Sequence, residues 1–244
     1  MDEDKSRPRV GVVVIGQSPR PSVAAEIAAV LSPGIAIDLV GALDGMSRAE
    51  IDAIAPTDGS DALFTLLPNG DAVVISKQVV EERAAEKIAG FAGKGVAVTM
   101  LACTGKFPAL SPDIGMSAHS HDGLWEGAPP VVVLPSKILS SLVEAVLPHG
   151  RLGVFSPLPE QTALIAGKWE RPGIEVVGVT LRPGSGPEAV DAAASAMAQH
   201  APDIVVMDCM GYRGADKARV RKLVACPVIL AIAAAARVVE ELIA

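Results

Sequence analysis

The chain has 244 residues, of which 50% are apolar, 20% charged and 3% aromatic, and it carries a net charge of −7. That length buries a sizeable core, in one large α/β domain or in two of roughly 100 residues each. The acidic balance argues against a nucleic-acid partner, and the scarcity of aromatic rings removes a stacking platform for single strands.

The opening "MDEDKSRPRV" is charged and enters only a short apolar segment, unlike a signal or transit peptide. β-Branched runs then alternate with alanine-rich stretches, which predicts parallel strands covered by helices. Strands are expected at Val10–Ile15, Ile35–Val40, Ala72–Ile75, Val96–Leu101, Val131–Leu134, Leu152–Phe155, Glu175–Val179, Ile204–Met207 and Val228–Leu230. Helices are expected at Ser22–Leu31, Val79–Phe91, Ser136–Val146, Glu160–Trp169, Pro187–His200, Ala215–Leu223 and Ala233–Ile243. The longest apolar run, Leu223 to Ala236, is broken by Pro227 and falls short of the roughly 18 residues of a membrane span. A cytoplasmic protein with no membrane partner is expected, its three cysteines being thiols rather than disulfides.

So many strands exceed one comfortable open sheet, and two smaller sheets fit better. A weak internal repeat supports them. "RVGVVVIGQSPRP" from Arg9 and "RLGVFSPLPEQ" from Arg151 both place arginine, an aliphatic, glycine and valine before a proline-bearing loop. Each half also ends a strand in a cysteine: "VAVTMLACTG" reaches Cys103 and "DIVVMDCMGY" reaches Cys209. The fold class expected is therefore α/β, with two pseudo-symmetric doubly wound parallel-sheet lobes. The first lobe takes 1–130 plus 227–244, the second 131–226, with the last strand and helix crossing back to the first. The surplus of the first half, between Gly41 and Gly70, is read as a partly helical elaboration, a lid or a contact surface.

In open parallel sheets ligands bind beyond the carboxyl ends of the strands, where both cysteines fall. Gly105 and Gly211 follow them and allow close backbone approach. A helix starting after either cysteine would favour its thiolate. A single cytosolic cysteine is most often a small buried hydrophobe, and Cys226 is read that way. Metal chemistry fits poorly, since there is no Cys-x-x-Cys and the histidine pair His119 and His121 has no standard spacing. A nucleophile elbow, a P-loop and a dinucleotide fingerprint are all missing from the sequence. What remains is proton transfer by two thiols on opposite faces of one carbon, one as thiolate and one as thiol, with no cofactor. A thiol redox pair would need the sulfurs within bonding reach, and a Cα separation beyond about 7 Å is expected instead.

The loops "ACTG" and "DCMGY" resemble the cysteine loops of the aspartate/glutamate/hydantoin racemase superfamily, and "IGQSPRP", "GALDGMS", "LPSKIL" and "PLPEQ" resemble signatures of its AroM branch. The resemblance implies a site in the cleft between the lobes and cofactor-independent racemase, epimerase or isomerase chemistry, with Cys103 and Cys209 in the catalytic positions. It places Thr104, Gly105, Met210 and Gly211 in the loops that hold a substrate carboxylate, and Gln17, Ser18 and Arg20 where relatives make substrate contacts. Gly211 and Thr104 replace the histidine and asparagine of glutamate racemases, which points away from amino acids and toward hydantoin-like or dicarboxylate substrates. Relatives are commonly dimers, so the resemblance implies a homodimer.

Further candidates on the same sheet edge are Ser76 with Lys77, Ser156 with Gln161, Tyr212 and Asp208, each with a structural alternative: a solvated lysine, a packed tyrosine, a turn-capping aspartate. Arg20 between two prolines could clamp a carboxylate or sit in a turn. Ser136 is expected to cap a helix. The alternatives to a two-thiol isomerase are a one-cysteine decarboxylase or cis–trans isomerase, and a non-catalytic small-molecule binder or regulator that keeps the cleft.

Overall fold

A computed structural model describes residues 7–56, 58–110 and 130–244. The first half runs β1 (Arg9–Val14), α1 (Pro21–Ala28), β2 (Ala36–Gly41), α2 (Arg48–Ala53), β3 (Ala62–Leu66), β4 (Ala72–Ser76), α3 (Lys77–Ala92), β5 (Val98–Ala102) and β6 (Val131–Val133). The second runs α4 (Pro135–Val146), β7 (Gly150–Ser156), α5 (Pro159–Ala163), α6 (Ile165–Trp169), β8 (Ile174–Thr180), α7 (Pro187–Gln199), β9 (Ile204–Met207), α8 (Gly214–Leu223), β10 (Val228–Leu230) and α9 (Ala231–Ile243). Two four-stranded parallel sheets result, ordered β2-β1-β5-β6 and β8-β7-β9-β10. Leaving β3 and β4 aside, both read second, first, third, fourth, so the repeat seen in the sequence is a repeat of topology. Contacts group residues up to Pro135 with Ala235–Ala244 in one unit, and Ser136–Ala234 in the other. β10 pairs with β9 in the second sheet, and it is α9 whose later turns belong to the first unit. There the Ser32 amide donates to the Glu240 carboxylate at 2.8 Å.

The shared Arg-x-Gly-Val opening has a packing reason. In the first unit α3 lays Val80, Ala84, Ile88 and Phe91 into the core. A Cβ on Gly11 of β1 would stand 2.7 Å from the Phe91 ring. In the second, α7 buries Val190, Ala194 and Met197, and a Cβ on Gly153 of β7 would stand 2.6 Å from Met197 Sδ. Glycine therefore lets a helix close onto the first strand of each sheet. The arginines sit at matching ends of those strands: Arg9 grips Asp38 of β2 at 2.7 and 2.9 Å, and Arg151 grips Glu175 of β8 at 2.8 Å.

The segment between Gly41 and Gly70 holds α2 and β3, and β3 corrects the expectation for Ala72–Ile75. That run is not a strand of a parallel sheet. It is the return arm of an antiparallel hairpin, Ala62 facing Ser76 and Leu66 facing Ala72. The turn "LPNGD" closes it, with Leu67 N–H donating to Asp71 O at 2.8 Å and Gly70 at a φ of 90°. Asn-Gly between short apolar runs is a hairpin signal in its own right. Ala42, Leu43, Ile51 and Leu63 of this elaboration join Ile75 of β4 and Val13, Ile15, Leu101 and Phe107 in one buried cluster, so it is part of the core of the first unit.

Two further details differ from expectation. The helix expected at Glu160–Trp169 is interrupted at Leu164 into α5 and α6. Ser136 is the second residue of α4 rather than its cap. Among the described residues no helix is long and apolar enough to cross a membrane.

Candidate active site

Cys103 follows β5 directly, and Cys209 stands two residues after β9. Both strands lie beside the first strand of their sheet, Val14 being level with Ala102 and Phe155 with Met207. Neither cysteine opens a helix: Cys103 leads to a 3-10 turn at Pro108–Leu110, and α8 begins only at Gly214. The backbone serves the sulfur more directly. Gly105 N–H donates to Cys103 Sγ at 3.4 Å, and Gly211 N–H donates to Cys209 Sγ at 3.4 Å. An N–H aimed at sulfur stabilises its negative charge. The same two-residue thiol turn is thus built once in each unit.

Space explains why glycine occupies both second positions. A Cβ on Gly105 would meet the Phe107 ring at 3.0 Å and Leu63 at 3.3 Å. One on Gly211 would meet Pro183 Cβ at 2.9 Å. None of the three cysteines is in a disulfide; Cys103 is buried and Cys209 half-buried. Burial raises the Cys226 thiol above its ordinary value, with a smaller contribution from Asp203, and it lies at the opposite end of the second sheet.

The expected substrate loop after β1 is stitched to the loop after β2. Gln17 Nε2 donates to Leu43 O at 3.3 Å and Met46 O at 2.7 Å. Ser18 donates to Asp44 through its amide at 2.7 Å and its hydroxyl at 2.8 Å. Arg20 Nη1 donates to Leu66 O at 2.6 Å and Thr65 Oγ1 at 3.3 Å, both in β3. Arg83 of α3 holds the other side through Ala42 O at 2.6 Å and Asp44 O at 3.1 Å. "IGQSPRP" and "GALDGMS" are therefore two halves of one interlocked turn at the carboxyl edge. Ser76 caps α3, accepting from Val79 N–H at 3.4 Å, while Lys77 Nζ donates to Ser60 O at 3.0 Å. Thr104 is buried beside Cys103.

In the second unit Ser156, at the end of β7, joins a hydroxyl chain to Thr162 at 2.5 Å and on to Thr180 at 2.7 Å. Tyr212 packs beneath the thiol loop, 1% exposed, and its hydroxyl donates to Leu181 O. Burial, followed by the nearby Cys209, Asp208 and Asp216, holds its phenol well above the ordinary value. Met210 is buried in the same loop. Asp208, 5% exposed, accepts from Lys168 Nζ at 2.5 Å and Trp169 Nε1 at 3.1 Å. Sequence reasoning passed over Lys168, Thr162, Thr180, Asp44 and Arg83. Only Asp44, inside a glycine-bracketed signature, carried any local signal.

No group of three or more histidine, cysteine, aspartate or glutamate side chains able to hold a metal is found among the described residues. His119 and His121 lie outside those residues.

A family model described as AroM protein matches residues 10–121 and 122–243. The chain belongs to the AroM family. The two matched segments divide the chain near its middle. No curated protein sequence matches. Solved structures share the fold of this AroM chain. Maleate isomerase Iso from Pseudomonas putida S16 is 18% identical with a TM-score of 0.61, covering 96% of this chain and 92% of that one. A sulfate-associated mutant of arylmalonate decarboxylase is 15% identical with a TM-score of 0.59, covering 96% and 94%. Allantoin racemase from Pseudomonas fluorescens is 17% identical with a TM-score of 0.58, covering 96% and 90%. All carry the racemase-like pair of α/β lobes.

Proposed function

We propose that the protein is a cofactor-independent racemase, epimerase or isomerase acting at a carbon next to a carboxylate or imide of a small substrate. The observation that carries the reading is the repeated thiol turn, a cysteine at a strand's carboxyl edge with the second following amide donating to its sulfur at 3.4 Å in each unit. One sulfur, as thiolate, takes the α-proton, and the electron pair moves into the neighbouring carbonyl. The other, as thiol, returns a proton to the opposite face, so that substrate and product differ only in configuration. The backbone at Thr104–Gly105 and Met210–Gly211 receives the carboxylate. Fold neighbours that are racemases, an isomerase and a decarboxylase support chemistry of this general kind.

The test is α-proton exchange in D₂O, followed by NMR, with hydantoins, 2-substituted dicarboxylates and amino acids. Cys103→Ser and Cys209→Ser each abolish exchange if both thiols work; exchange surviving in both variants refutes the mechanism. A one-thiol decarboxylase or cis–trans isomerase is the second reading. The unequal burial of the sulfurs favours it, and it predicts that only the half-buried Cys209 is indispensable. A non-catalytic binder would bind such ligands without turnover and alkylate at ordinary thiol rates.

A further inference from the structure

Asp208 is built into the second sheet one residue before its thiol. Its N–H extends the β9 ladder by donating to Phe155 O of β7 at 3.0 Å, and its side chain is 3% exposed. A carboxylate beside a thiolate works against it, because like charges disfavour the ionised sulfur and burial keeps water from screening them. Successive Cα atoms stand about 3.8 Å apart, so the carboxylate and the sulfur of these neighbours are separated by about 10 Å at most. Behind burial, the Cys209 and Asp208 charges are the next causes that keep the Tyr212 phenol protonated, so both lie within electrostatic reach of one atom.

The short helix α6 supplies the compensation. Lys168 Nζ stands 2.5 Å from Asp208 Oδ2, and the Trp169 indole N–H donates to the same oxygen at 3.1 Å. The ammonium also lies 5.5 Å from the centre of the Trp169 ring, a cation–π contact that fixes its position further.

We infer that Lys168 is a positioning residue for chemistry at the second thiol: by neutralising the buried Asp208 carboxylate it lets the Cys209 thiolate form near neutral pH. The inference rests on the isomerase reading for the use of that thiolate, and on geometry alone for its formation. Lys168 acts through Asp208 rather than on the reacting atoms. The other titratable groups around the turn keep one charge throughout. Asp216 is paired with Arg213 at 3.0 Å, Tyr212 stays neutral, and Arg182, beside the Pro183 that packs on Gly211, is a fixed cation. The Gly211 N–H that donates to the sulfur at 3.4 Å is backbone and common to every variant.

The experiment measures the pH midpoint of Cys209 alkylation by iodoacetamide in the full chain, read peptide by peptide in a mass spectrometer. The midpoint is followed rather than the rate, because a thiolate of higher pKa is also the stronger nucleophile. Lys168→Met raises the midpoint by about half a unit to one unit, the effect of one charge over about 9 Å at a dielectric between those of a protein surface and water. Asp208→Asn lowers it by a similar amount. Lys168→Met with Asp208→Asn returns it to the starting value, and Lys168→Arg leaves it there. Cys226, before β10 at the opposite end of the second sheet, keeps its midpoint in every variant. The opposite signs separate an electrostatic role from a structural one, since a loosened turn costs the sulfur its Gly211 donor and raises the midpoint in both single variants. An unmoved midpoint in either single variant, or a rise in both, overturns the inference. Asp208→Asn leaves no buried carboxylate to compensate, so its sign decides the question even where Lys168→Met does not fold. Neither midpoint depends on turnover. Shifts of the expected signs without α-proton exchange would sink the isomerase reading alone, and exchange with unmoved midpoints would sink this inference alone. With an active substrate, the acid limb of the pH profile of kcat/KM moves with the Cys209 midpoint.

Discussion

Replacing Gly211 by alanine tests the thiol turn directly. Neither Gly211 nor Gly105 has a positive φ, so alanine is not opposed by the backbone conformation at either site. Contact distance decides. The new methyl at 211 would stand 2.9 Å from Pro183 Cβ and 3.3 Å from its Cγ, a ring with no rotamer by which to withdraw. Either the Pro183 loop or the Gly211 amide has to move. Overpacking of this kind costs about 1–3 kcal/mol. If the amide moves, the sulfur loses its donor, and a hydrogen bond to a charged acceptor is worth about 1.5–3 kcal/mol, so iodoacetamide alkylation of Cys209 near neutral pH falls about tenfold. At 105 the methyl meets the edge of the Phe107 ring at 3.0 Å and the end of Leu63 at 3.3 Å, and both can give a few tenths of an ångström. Gly105→Ala is thus the milder change, slowing Cys103 about twofold to threefold by the same reasoning. The assays are guanidinium denaturation and site-resolved alkylation. A Gly211→Ala protein that keeps both its denaturation midpoint and its Cys209 rate refutes the reasoning.

Three further outcomes are expected. Gly11→Ala drives a methyl into the Phe91 ring and lowers stability by about 2–3 kcal/mol, whereas Gly153→Ala meets the flexible end of Met197 and costs about 1–2; urea unfolding of each variant ranks them, and equal losses would undo the ring argument. Lys168→Met removes the ammonium 2.5 Å from the Asp208 carboxylate, whose side chain is 3% exposed. A loss of about 2–3 kcal/mol follows, smaller than for a wholly buried pair because Lys168 is 23% exposed, and Lys168→Met with Asp208→Asn recovers most of it. Cys226, raised by burial, holds its proton at pH values where an ordinary thiol has begun to ionise, so its alkylation accelerates only at higher pH than that of free cysteine; a pH–rate profile matching free cysteine contradicts this.

The parallel sheets were legible because each of their strands is a β-branched run bounded by glycine, proline or a charged turn, and the repeat because Arg9 and Arg151 open matching strands with glycine two residues on. The hairpin was not. "ALFTL" is short, with Pro68 two residues past its end, and its partner at Ala72 leads straight into a helix, as the strands of a parallel sheet do. Only the Asn69–Gly70 pair marked the reversal. At the edge, the cysteines, their glycines and Tyr212 were legible because they are neighbours in sequence. Lys168 was not, since its partner Asp208 is 40 positions away. Contacts of that kind belong to topology, and no local pattern encodes them.

The two units share a backbone plan but not a chemical one. The Cys103 side is enclosed: the hairpin, α2 and the Gln17 loop supply a hydrophobic cluster in which Cys103 itself packs, and the donors nearby spend their bonds on backbone carbonyls and Asp44. The Cys209 side keeps its thiol half-buried, with a hydroxyl chain and an ion pair on the surrounding segments. A racemase acting on near mirror-image forms needs its thiols matched in reactivity, but it does not need matched surroundings. The hairpin packs with Cys103 in one buried cluster, so trimming it lowers stability.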